Sequence, residues 1–154
     1  MRKGIALFAL MAAGLAAPAA ATAATPVDAV KADVTKLQAD IVAARTTVVA
    51  DLQKLVADAS SAKTLSKADA RALIKADVAK LHADRQAAHV TIKADRAQLK
   101  SDLAAAKQIA GAKAELRPAL KSLKQSVRQA EKAIRTELRQ ARNALRELRA
   151  SFRK

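Results

Sequence analysis

The chain has 154 residues and carries 29 lysines and arginines against 14 aspartates and glutamates, a formal charge of +15, with three glycines and no cysteine. Disulfide and thiolate chemistry are therefore excluded, and with no tyrosine, no tryptophan and two phenylalanines there is no aromatic platform for stacking bases or sugars. So little glycine provides neither a phosphate-cradling loop nor the positive-φ turns that β-hairpins need, and the abundant alanine, leucine, lysine and arginine favour helix: the fold class is all-α.

Residues 1–24 read as a cleaved signal peptide. Arg2 and Lys3 give a positive start, Ile5 to Leu15 an apolar run, and the small residues after Pro18 end in Ala-Thr-Ala-Ala, which places cleavage near Ala24. The run is alanine-rich and broken by Pro18, short of the ~20 strongly apolar residues of a stable span. Periplasmic or secreted localisation follows as the expectation, with residues 25–154 forming a single helical domain.

The first helix is predicted over about 26–59. Thr25 can cap it, Pro26 suits its first turn, and Asp28 completes a capping box. Its apolar stripe is Val27, Val30, Val34, Leu37, Ile41, Ala44, Val48, Leu52, Leu55 and Ala59. Ser66 and Asp69 cap a second helix, about 66–110, for which Gly111 would be the terminator. Its stripe includes Ile74, Val78, Leu81, Ile92, Leu99, Leu103 and Ile109, interrupted by Arg85 and Arg96. A third helix is predicted over 118–152 and Gly111–Arg117 as a turn, because proline inside a helix costs ~3 kcal/mol. Short connections make successive helices antiparallel. The expected architecture is an elongated antiparallel three-helix bundle or coiled coil, with an extended helical hairpin as the alternative; the alanine-rich seam also suits a homo-oligomer.

An internal repeat runs through the first two helices. The segment Val30–Asp40 recurs as Ile74–Asp84, a shift of 44 residues, and Ala-Asp pairs step by 7 and 11 along each copy. That 18-residue period is five helical turns, so the aspartates keep one face. Lysines fall between them in the ladders Asp33, Lys36, Asp40; Asp51, Lys54, Asp58; and Asp77, Lys80, Asp84. Lysine–aspartate pairs one turn apart read as a solvated, self-paired face.

Charge is graded along the chain. Residues 25–59 carry 4 basic and 5 acidic side chains, residues 60–110 carry 10 and 5, and residues 111–154 carry 13 and 4. In the last segment Arg135, Arg139, Arg142, Arg146, Arg149 and Arg153 step by four and three, a row ~27 Å long beside the apolar stripe. Arginine forks bind phosphate and carboxylate bidentately, so this row is the candidate anion-binding site. Its partner would be an anionic surface or polymer: lipid phosphate, lipopolysaccharide, wall polymer or a nucleic-acid backbone. The competing reading is a solubilising face, with some arginines paired to aspartates of the first helix. No catalytic pair, cofactor motif or metal site is apparent; His82 and His89 lie two turns, ~10 Å, apart, too far to share one ion. The expected function is a non-enzymatic exported envelope protein. A periplasmic holdase chaperone for unfolded client proteins is the alternative.

Overall fold

A computed structural model of the chain describes residues 25–153; residues 1–24, on which the expectation of a signal peptide falls, lie outside the described residues. Three long helices account for nearly all of them: α1 Pro26–Ser61, α2 Lys67–Ala106 and α3 Ala112–Ser151. A single 3-10 turn, Ala62–Thr64, leads from α1 towards α2. At 1.5 Å per residue, α1 is about 54 Å long and the other two about 60 Å each. Among the described residues there is no strand, and no helix is long and apolar enough to cross a membrane.

The helix starts follow from local chemistry. The Thr25 hydroxyl accepts from the backbone N–H of Asp28 at 3.2 Å, while the Asp28 carboxylate takes the Thr25 N–H in return. At α2 the Ser66 hydroxyl accepts from the Asp69 N–H at 3.2 Å and donates to its carboxylate at 2.7 Å. Each motif satisfies N–H groups that the first turn leaves without a helical partner.

The second connection differs from the sequence expectation. Helix α2 stops at Ala106, not 110, and Lys107–Gly111 makes the turn. Gly111 does adopt a left-handed backbone, φ +82°, but as the residue that opens α3. Of the expected turn over Gly111–Arg117, residues 112–117 are already helix, and Pro118 lies inside α3 as its seventh residue. Proline removes one N–H and crowds the carbonyl of Ala114, four residues back. Burial of Ala112 and Leu116 in the common core offsets that cost and carries the helix through it.

Helix α1 is the common partner of the other two. Its stripe is almost wholly buried, with Val30 and Ala59 fully covered and Leu52 1% exposed. Contacts between α1 and α3 join residues 84 apart at four levels: Lys31–Glu115, Gln38–Ser122, Gln53–Glu137 and Lys63–Glu147. A constant offset means that the two run in the same direction in fixed register. Between α1 and α2 numbering runs in opposite senses, in Lys36–Asp95, Lys54–Asp77 and Lys80–Asp51, so this pair is antiparallel. All three helices share the core around Val34, Leu99 and Leu116, yet the backbones of α2 and α3 hardly approach each other.

The aspartate face is where the sequence reading needs correction. The one-turn pairs Lys36–Asp40, Lys54–Asp58 and Lys80–Asp84 do form. The face is a helix–helix seam, however, not a solvated surface: Asp51, Asp77 and Asp95 are buried there, 6%, 7% and 9% exposed. Each lysine reaches across to a buried aspartate of the opposite helix while holding its own neighbour. The two copies of the repeat therefore face one another about a local two-fold axis. Near that axis, Asp40, Ala43, Ala44 and Thr47 of α1 meet Asp84, Ala87, Ala88 and Thr91 of α2, each 44 residues from its counterpart.

Candidate functional site

The six arginines of the row all lie on α3 and all are exposed. Among the described residues Arg135 alone of the six has an acidic partner, Glu131, at 3.6 Å, and both of those side chains are largely in solvent. Among the described residues no aspartate of α1 engages them: Asp40, Asp51 and Asp58 pair with lysines of α1 and α2, Asp28 caps its own helix with Thr25, and Asp33 faces α2. Two of α3's own glutamates, Glu115 and Glu147, pair with Lys31 and Lys63 of α1 and so are turned away from the row.

Which way the row faces follows from the contacts of α3. Glu115, Ser122, Glu137 and Glu147 mark the side towards α1. Leu145, Leu148, Arg149, Phe152 and Arg153 line a groove shared with α2. At about 100° per residue, Arg142 projects at an angle between those of Arg149 and Arg153, Arg135 at that of Arg153, and Arg139 and Arg146 turn somewhat further to solvent. The row thus runs along the α3 rim of the α2–α3 cleft.

The opposite rim is also cationic, which reading the C-terminal helix alone does not reveal. Between the first turns of α2 and the last turns of α3 the groove has a volume of about 710 Å³, and α2 contributes Lys67, Arg71 and Lys75 around Ala70, Ile74 and Val78. The same helical face continues through His82, Arg85, His89 and Arg96, all exposed. The signal was present in the sequence as a second 3–4-spaced basic stripe, and Arg85 and Arg96 belong to it. Among the described residues no ion pair joins α2 to α3, while each of them packs closely on α1. His82 and His89 sit on this face, and no group of three or more His, Cys, Asp or Glu able to hold a metal ion occurs among the described residues.

The seam on the other side of α2 is electrically self-contained. Hydrogen bonds from Lys36, Lys54 and Lys80 hold the carboxyls of Asp40, Asp58 and Asp84 below the usual carboxylate range. The same lysines are pushed up by their aspartate partners. One rung lacks its cation. Forty-four residues after Lys54 the chain has Gln98, which donates to Asp102 at 3.1 Å. There Asp33 faces Asp102 without a bridging lysine, and burial, then the Asp102 carboxyl, push the Asp33 carboxyl up.

Set against known protein families, characterised proteins and solved structures, the chain matches none of them.

Proposed function

We propose that the protein is exported, folds as an elongated antiparallel three-helix bundle, and serves without catalysis as an envelope protein that attaches to an anionic surface through α3. The observation that carries this reading is the arginine row: six exposed guanidinium groups on one helix, of which Arg135 alone has an acidic partner among the described residues. Such a row sums into a strong positive local field. Near an anionic membrane each arginine contributes about 1 kcal/mol, and the contribution falls within a Debye length as salt rises. Cleavage near Ala24 would leave the helices free of the apolar leader.

The test is co-sedimentation of the mature protein with vesicles of phosphatidylglycerol and phosphatidylcholine at increasing salt. Binding is expected to weaken steeply between 20 and 300 mM NaCl. Arg135→Ala, Arg139→Ala, Arg142→Ala and Arg146→Ala combined should lower affinity at least a hundredfold. A quadruple variant that binds like wild type would leave the row a solubilising face. Salt-insensitive suppression of aggregation of a denatured client would favour the holdase reading.

A further inference from the structure

We propose that the cleft between the first turns of α2 and the last turns of α3 holds one anionic single-chain amphiphile, with its acyl chain on the apolar floor and its phosphate between the two basic rims. The proposal rests on the reading of α3 as an anion-binding helix and adds a defined site and ligand class. The floor is Ile74 and Val78 from α2 and Leu145, Leu148 and Phe152 from α3. Around it stand Lys67, Arg71, Lys75, Arg149 and Arg153, and no acidic side chain lines the groove. None of these five cations has an ion-pair partner among the described residues. Val78 is 44% exposed, an apolar side chain left in solvent between cations.

A cleft of this kind discriminates by chemistry. A free phosphate would find the cations but leave the floor wet, and a neutral amphiphile would leave the cations without a partner. An anionic amphiphile satisfies both, since burial of the chain adds to charge-assisted hydrogen bonds at the head. Size points the same way. The 710 Å³ of the groove falls within the ~300–1,000 Å³ of small-ligand clefts.

The test uses oleoyl lysophosphatidic acid below its critical micelle concentration, with glycerol 3-phosphate as the headgroup control. Isothermal titration of the mature protein should give saturable one-to-one binding, and amide shifts should move at residues 67–78 and 145–153. Arg71→Ala with Arg149→Ala should weaken it at least tenfold. The charge-neutral pair Val78→Gln with Phe152→Gln should weaken it at least fivefold while leaving vesicle adhesion unchanged. Vesicle adhesion lost in the Arg135/Arg139/Arg142/Arg146 variant, with lysolipid binding retained, separates the surface reading from this one. Glycerol 3-phosphate binding as tightly as the lysolipid, or a Val78/Phe152 variant that binds like wild type, would overturn the site. So would groove shifts produced by an acidic amphipathic peptide and not by the lipid.

Discussion

The two sides of α2 solve the problem of charge in opposite ways. Towards α1 it presents aspartates and a lysine that interlock with the same residue types of the repeated segment, burying Asp51, Asp77 and Asp95 under cations from across the seam. Towards α3 it presents Arg71, Lys75, Arg85 and Arg96 to a helix that is itself rich in arginine. One seam is closed by complementary charge. The other is lined by like charge on both sides and has an apolar floor. A helix can therefore be structural on one face and available on the other, and composition alone does not tell the faces apart.

The largest expected effect separates packing in the two places. Leu52→Ala, at a position 1% exposed, should cost about 2–5 kcal/mol in chemical denaturation. Val78→Ala, 44% exposed in the cleft, should stay within about 0.5 kcal/mol. Comparable losses at both sites would mean that the cleft is as closed as the seam. Next in size is the α2–α3 connection. Gly111→Ala meets no atom within 4 Å but must hold φ +82°, so a loss of about 1–2 kcal/mol is expected from backbone strain alone.

Smaller effects probe the charges. Gln98→Lys restores the fourth cation of the repeat and should stabilise by about 0.5–1 kcal/mol, the worth of a partly exposed pair. A thermal melt showing no gain would mean that Asp33 and Asp102 are satisfied as they stand. The pH dependence should divide the same way. Asp33 is pushed up on folding, so above its folded pKa it detracts from stability, and the penalty is relieved as pH falls through that pKa. Asp33→Asn should therefore stabilise at pH 7 and lose its advantage towards pH 4. Asp40, Asp58 and Asp84 are held down, so their contribution is present above the ordinary carboxylate pKa and is lost as pH falls through their folded values. Denaturation midpoints of wild type and Asp33→Asn across pH 3–8 check both signs.

What the sequence could convey depended on whether a signal was local. The caps at Thr25 and Ser66 and the buried stripe of α1 follow from spacing within a few turns, and the structure places them as expected. Pro118 misled because its local cost is outweighed by the burial of Ala112 and Leu116 against distant residues. The aspartate repeat was visible, but its burial was not, since a self-paired ladder on one helix reads the same whether water or a second copy faces it. The arginine row was legible as a pattern. That α2 supplies the facing rim depends on how the helices are turned, which neither stripe encodes alone.

The position of α1 between the other two also bears on the order in which the molecule assembles. The α1–α2 pair is joined by a few residues and carries its own matched charges, so its contacts close short loops and should form early. Helix α3 docks on α1 through residues 84 apart, each contact closing a long loop, and its backbone hardly approaches α2. Amide exchange should accordingly find α3 the first helix to detach from an α1–α2 hairpin that is still intact. A protease added under native conditions should cut in the Lys107–Gly111 turn or in α3 before it reaches the seam.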